Sequence, residues 1–241
     1  MAIDYTKRPT TPPPAAAPPP AAGGGAPVSL SKVTLTKSAP RVSLSKTGGT
    51  GGVLTVNLNW SARPPAAPDK PRGGFLAKLA AAATAPAKGI DLDLGCLYEL
   101  ADGRKGVIQA LGGAFGSLDE APWIALDGDD RSGSVTGGET MSVNLGRPGR
   151  FKRVLIFAMI YEGVPNWGAA DGVVTLTPVG GPQIEVTLDA TEASARICAV
   201  AQLTDNGGEL EVQREVQYVN GGQSVLDKMY GWGMQWAPGR K

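Results

Sequence analysis

Short runs in which apolar and small polar residues alternate recur along this chain, most of them bounded by glycine or another turn former. Val28-Ser29-Leu30-Ser31-Lys32 is echoed by Val42-Ser43-Leu44-Ser45-Lys46, with Val33-Thr34-Leu35-Thr36-Lys37 between them. After Gly48-Gly49-Thr50-Gly51-Gly52 the alternation resumes from Val53 to Trp60. A period of two sends one set of side chains to a buried face and the other to water, so these runs read as neighbouring half-buried strands. They are too short to be the units of a solenoid. Strand patterns continue at Asp91–Leu100, Gly106–Leu111, Trp123–Leu126, Thr140–Leu145, Arg153–Tyr161, Gly172–Pro178, Gln183–Leu188, Ala195–Thr204 and Glu209–Val219. Asp102-Gly103, Gly112-Gly113, Gly180-Gly181 and Asn206-Gly207 supply turns, the last with the chemistry of a type I′ hairpin. Strands of this length and spacing predict an all-β chain, a two-sheet antiparallel β-sandwich. Gln223–Met229 reads as a short helical stretch before an aromatic tail, Tyr230-Gly231-Trp232-Gly233-Met234-Gln235-Trp236.

Two stretches stand apart from this pattern. Residues 1–27 hold eight prolines, an alanine run and Gly23-Gly24-Gly25, with almost no large apolar side chain. Such a segment cannot bury enough surface to offset an ordering cost of about 1–2 kcal/mol per residue, so a disordered Pro/Ala/Gly-rich arm is expected. Residues 62–88, with Pro64, Pro65, Pro68 and Pro71 and the short alanine-rich run from Phe75 to Ala83, read as an insertion within a sandwich domain spanning 28–241.

The net charge of +1 conceals an asymmetry, because residues 1–89 carry 11 Lys/Arg against 2 Asp/Glu and residues 90–241 carry 12 against 20. A dispersed basic front reads first as a solvated arm. Attraction to the acidic body, to anionic lipid or to nucleic acid is the alternative. No run approaches the roughly 18 apolar residues of a membrane helix. The start Met-Ala-Ile-Asp-Tyr has no secretory pattern, so a cytoplasmic location is expected. Cys96 and Cys198 lie in apolar strand-like runs and read as buried, inert thiols. The chain has no histidine, which excludes Ser-His-Asp and Cys-His catalysis, and no GxxxxGK[ST] phosphate loop.

The chemistry-bearing residues are acidic. Asp91-Leu92-Asp93 points two carboxylates to one face of a strand. Downstream, Asp127, Asp129 and Asp130 crowd a glycine-bent loop, and Glu139 follows Gly137-Gly138. Brought together, such groups repel unless a cation neutralises them. A hard oxygen set suits Ca²⁺ and not Zn²⁺ or copper. Two other readings of the same residues stay open: a solvated acidic loop with Arg131 pairing inside it, and paired-carboxylate acid/base work. The loop lacks the ligand spacing and flanking helices of an EF-hand. The turn Tyr161-Glu162-Gly163-Val164-Pro165-Asn166-Trp167-Gly168 reads as one whose Trp167 plugs the end of the sandwich, with an exposed recognition loop as the alternative; Trp232 and Trp236 are weighed the same way.

Taken in order, VSLSK, the strand ending NLNW, DLDLGCLYEL, ALDGDDRSG with its following GE, the long apolar strand, YEGVPNWG and YGWGMQW resemble the TerD-like family of tellurium-resistance and stress-response proteins, in its TerA branch. The resemblance runs from about residue 28 to the end. It implies a β-sandwich that binds Ca²⁺ through acidic loops, in a bacterial, cytoplasmic and partly membrane-associated stress system. Other Ter-family stress proteins and a TerC-like membrane protein are the partners it implies. Asp91 and Asp93 match the family's DLD pair, Asp129 and Asp130 its GD[ND] loop, and Glu139 the glutamate that closes its acidic tract. Ser134 to Gly138 (SVTGG) carries no carboxylate where TerD-type members have an Asp-Gly-Asp-Asp run, so one site weaker than the family norm is expected. The function expected is a non-enzymatic calcium-binding scaffold or sensor, without a membrane span or a nucleic-acid partner. The alternative is a metal-assisted hydrolase or other enzyme using the acidic cluster.

Overall fold

In a computed structural model the residues described are 32–60, 90–128, 137–147 and 149–237. The predicted arm (1–27) and insertion (62–88) lie outside them, as do Asp129 and Asp130. Thirteen strands are present among the described residues: β1 Lys32–Thr34, β2 Arg41–Ser43, β3 Gly51–Asn59, β4 Asp91–Leu100, β5 Lys105–Ile108, β6 Gly116–Ser117, β7 Ile124–Leu126, β8 Glu139–Asn144, β9 Phe151–Glu162, β10 Gly172–Val179, β11 Gln183–Leu188, β12 Ile197–Asp205 and β13 Leu210–Val219. Three short helices accompany them: α1 Leu44–Thr47, α2 Trp167–Ala170 and α3 Gln223–Tyr230.

The strands form two sheets, ordered β1-β11-β10-β3-β8-β7-β6 and β2-β13-β12-β9-β4-β5. All pairings are antiparallel except β1 with β11. The sandwich read from the alternation is therefore the observed fold. Its core lies between the sheets, where Leu54, Val56 and Leu58 of β3 meet Leu92, Leu94 and Cys96 of β4, with Met141, Ile156, Val174 and Val186 around them. A second apolar cluster lies apart from that core. Leu97, Leu155, Phe157, Ile197, Ala199 and Val219 of the six-stranded sheet form it together with Leu226 of α3 and Trp232.

Several local expectations shift. The run at 42–46 divides between strand and helix. Ser43 caps α1 by accepting the Lys46 N–H, and Gly48 ends the turn at φ 83°. Side-chain capping by serine competes with continued extension, which apolar alternation cannot reveal. The β12–β13 hairpin is set one residue later than read, because its left-handed pair is Gly207 (φ 70°) and Gly208 (φ 96°). Asp205 Oδ1 accepts the Gly208 N–H at 2.6 Å, and two residues without Cβ occupy these conformations more cheaply than Asn-Gly.

Trp167 is fully buried, and its Nε1–H donates to Ala195 O at 2.7 Å, so it plugs the sandwich end. Cys96 and Cys198 are sealed in the inter-sheet core, and burial pushes both thiols well above their ordinary range.

Candidate metal centre

Alternation along β4 fixes where its carboxylates point. Leu92, Leu94, Cys96 and Leu100 belong to the inter-sheet core and Leu97 to the outer cluster. Asp91, Asp93 and Glu99 therefore share the outward row with Leu97. Asp91 and Asp93 are nevertheless only 3% and 2% exposed. Burial of two neighbouring carboxylates costs several kcal/mol unless charge of opposite sign or donors meet them.

Glu139 arrives from the opposite sheet. β8 begins at this residue, in register with Leu58 of β3, and its carboxyl is 2% exposed. Gly138 before it has φ 65°, and a Cβ there would collide with the Leu58 carbonyl oxygen, so only glycine lets the chain enter β8 at this depth. Asn57 steadies the same entry by donating from Nδ2 to Gly137 O at 2.6 Å.

The Glu139 carboxylate then reaches β4. The Leu100 N–H donates toward β5, to Arg104 O. By alternation the Leu94 N–H points to that same edge. β5, however, pairs only with Cys96 to Glu99. Glu139 Oε2 accepts the Leu94 N–H at 2.6 Å, in the place a longer β5 would have filled. A carboxylate from one sheet thus closes a ladder position of the other, one residue along from Asp93.

Asp127 follows the end of β7 and is held differently. Its N–H donates to Thr140 O at 3.0 Å and its Oδ1 accepts the Thr140 N–H at 3.1 Å, while the side chain stays exposed. It lies beside β8, one residue from Glu139 in register, and does not join the buried group. Of the six residues read as ligands, the structure buries Asp91, Asp93 and Glu139, leaves Asp127 exposed, and does not describe Asp129 and Asp130.

Sequence reasoning missed two participants. Glu162 stands opposite Asp91 across the β4–β9 ladder, where a register shift leaves β9 one residue longer than β4. Glu162 was visible only as part of a turn motif, and register between distant strands has no local signal. The Leu94 amide is a backbone group, invisible to any reading of side chains.

The donor chemistry fits a hard cation. Asp91, Asp93 and Glu139 offer oxygens alone, and Asp91 Oδ1, Asp93 Oδ2 and Glu139 Oε1 are withdrawn from solvent. Among the described residues no three such groups stand together as a ready cation cage. No helix of the described residues is long and apolar enough to cross a membrane.

No protein-family model matches the chain. A solved protein of unknown function matches it with a TM-score of 0.50 at 18% identity, over 77% of this chain and 99% of that one. A solved homologue of telluride resistance protein (TerD) from Streptomyces coelicolor has a TM-score of 0.48 at 22% identity, over 73% and 94%. In sequence the chain is 42% identical over 214 residues to tellurium resistance protein TerA of Alcaligenes sp, covering 89% of this chain. It spans 60% of that relative's length. Across nearly all of its own length the chain is thus a relative of the TerA-type tellurium resistance proteins, the family its motif order resembles.

Proposed function

We propose that this chain is a non-enzymatic calcium-binding scaffold or sensor of a bacterial tellurium-resistance and stress system. One observation carries the reading. Two carboxylates of β4 and one of β8, from opposite sheets, are buried at one end of the sandwich, with Glu139 placed against the β4 backbone by a 2.6 Å bond. Carboxylate oxygens are the donors that a hard cation prefers, and such a cation matches their charge without any reaction. Asp91, Asp93 and Glu139 would hold it only together with Asp129 and Asp130 of the loop the sequence singles out, while Asp127, whose Oδ1 accepts the Thr140 N–H, stays outside. When bound, Ca²⁺ supplies charge neutralisation and fixes the loop end of the sandwich.

The cytoplasmic setting, peripheral membrane association and partnership with other Ter-family proteins or a TerC-like membrane protein belong to the same proposal, on the strength of the relationship to TerA alone. The whole of that relative is longer than this chain, so its activities come here only as part of the proposal.

Thermal unfolding in chelator and in millimolar Ca²⁺ tests it. Binding to the native state alone adds about 2.7 kcal/mol at a hundredfold excess over Kd. Asp93→Asn should abolish most of the gain, and Asp102→Asn should keep it, because Asp102 is exposed and engaged with Arg104. An unchanged midpoint would overturn the reading. Metal-dependent turnover lost in Glu139→Gln would favour a hydrolase instead.

A further inference from the structure

The segment from α3 to Ala237 lies as a strap across the outer face of the six-stranded sheet. Leu226 and Trp232 anchor it by pressing onto Leu97, Leu155 and Phe157. Trp232 is 1% exposed and its Nε1–H donates to Tyr98 O at 3.0 Å. Beyond that anchor the strap reaches β5, the last strand of the sheet. Trp236 is placed differently from Trp167 and Trp232: it packs against the rim of the outer cluster and stays partly exposed.

Two hollows open beside this indole, and Trp236 lines both. One, of about 390 Å³, is walled by Val107 of β5, Met234 and Gln235. The other, of about 310 Å³, is walled by Leu111, Gln223 and Ser224. Both fall within the range of ligand clefts, roughly 300–1,000 Å³. An indole with apolar walls beside it, and with the Gln235 amide and Ser224 hydroxyl as donors, suits an extended apolar ligand that presents carbonyls. The indole is also fixed in advance. Its Nε1–H donates to Asp227 Oδ2 at 3.1 Å, and the same buried carboxylate accepts the Gly233 and Met234 N–H groups. A groove built ahead of its occupant lowers the cost of binding.

The chain itself carries a segment of matching chemistry. Residues 12–20 read Pro-Pro-Pro-Ala-Ala-Ala-Pro-Pro-Pro. Such a sequence favours the polyproline II helix, whose three residues per turn give every face of this stretch small apolar side chains alone. Its carbonyls have no partner within that helix, so they are acceptors for Ser224 and Gln235. The reach is sufficient. The described chain begins at Lys32 of β1, on the edge of the seven-stranded sheet opposite to β6. β5 lies on the β6 side, since a Cβ on Gly116 of β6 would meet the Ile108 side chain. The arm must therefore cross the sandwich. Strands about 4.8 Å apart and sheets about 10 Å apart make that path roughly 35 Å. The chain from Pro20 to Lys32 extends to about 40 Å.

We infer that residues 12–20 dock as a polyproline II segment in the Trp236 groove of their own chain. Tethering supplies an effective concentration on the order of millimolar, so a contact too weak to hold a free peptide is populated. A segment that already favours its bound conformation loses little entropy on docking, and no core is asked of the rest of the arm.

A nitroxide at position 16 of the full chain tests this. Ala16→Cys supplies the reactive thiol, because Cys96 and Cys198 are buried. In isotope-labelled protein the spin label should erase the resonances of the Trp236 Nε1–H and of the Val107, Ser224 and Gln235 amides, and leave that of Thr175 in the opposite sheet. Replacing Pro12, Pro13, Pro14, Pro18, Pro19 and Pro20 by serine, which leaves the groove intact, should restore the lost signals. A mixture of spin-labelled chain without isotope and isotope-labelled chain without spin label should show no loss. Signals retained in the tagged chain would overturn the inference, as would a loss that survives the six serine substitutions. Equal loss in the mixture would seat the arm on a second copy and overturn docking within the chain.

Discussion

Arg153 lies over the indole of Trp232, 3.8 Å from guanidinium carbon to ring centroid, while its Nε holds Glu99 at 2.7 Å. One side chain thus performs stacking, ion pairing and two hydrogen bonds to strap carbonyls. Arg153→Lys retains the charge but loses the planar fork that makes these contacts together. A loss of about 1–2 kcal/mol is expected in urea unfolding. Trp232→Ala, which also empties the outer cluster, should cost about 3–5 kcal/mol. Equal stability of Arg153→Lys and wild type would show that the stacking contributes nothing.

Glu99 gives a pH signature. Its carboxyl is held below the usual carboxylate range, first by the bond from Lys152, against the opposing effect of burial, and further by Arg153 and Lys105. Because the folded-state pKa is depressed, the stabilisation is fully present above the unfolded value, near 4.3, and is lost as pH falls through the lower folded value. Glu99→Gln should therefore lower the unfolding midpoint at pH 6, with the gap to wild type closing as pH drops below about 4. A gap independent of pH would assign the effect to packing.

Gly138 tests the placement of Glu139. Any Cβ at this position meets the Leu58 carbonyl, and φ 65° is unfavourable for an L residue. Gly138→Ala is expected to cost about 1–3 kcal/mol in chelator and, by shifting Glu139, to weaken the response to Ca²⁺. Gly103→Ala is the control: its φ is 85° but its surroundings are open, so it should pay the conformational cost without moving a carboxylate.

How much of this was legible in the sequence depended on whether the signal was local. The sheets were, because apolar alternation at Leu54, Val56 and Leu58 has one burial solution. So was the plug role of Trp167. The division of residues 42–46 into strand and helix was not, since Ser43 serves as strand residue and cap at once. At the candidate site, Asp91, Asp93 and Glu139 were readable as carboxylates on patterned strands. The bond from the Leu94 amide to Glu139 was not, because it exists only where β5 stops short. The facing of Asp91 by Glu162 depends on a register shift between strands some sixty residues apart in sequence, and no local propensity encodes that.

The thiols offer a negative test. Cys96 and Cys198 are both fully buried, and desolvation raises each pKa far above the range where thiolate forms at neutral pH. In native buffer neither should react with a thiol reagent over minutes, and both should react at once in denaturant. Rapid native labelling of either would show opening of the inter-sheet core.

Trp167 separates a structural aromatic from a recognition aromatic. An exposed recognition tryptophan can be replaced with little loss of stability, because it contacts a partner and not the fold. Trp167 is instead fully buried in the inter-sheet core, at 6.3 Å between ring centroids from Tyr218, with its N–H committed to Ala195 O. Asn166 caps the short α2 beneath it by accepting the Ala169 N–H at 2.9 Å, which fixes the turn that delivers the ring. Trp167→Phe should leave the Ala195 carbonyl without its donor and a void where the second ring lay, a cost of about 2–4 kcal/mol. Asn166→Ala, which removes only the cap, should cost about 1 kcal/mol. If Trp167→Phe unfolds at the wild-type denaturant midpoint, the plug assignment fails, and the exposed-loop alternative would have to be reconsidered from the surface inward.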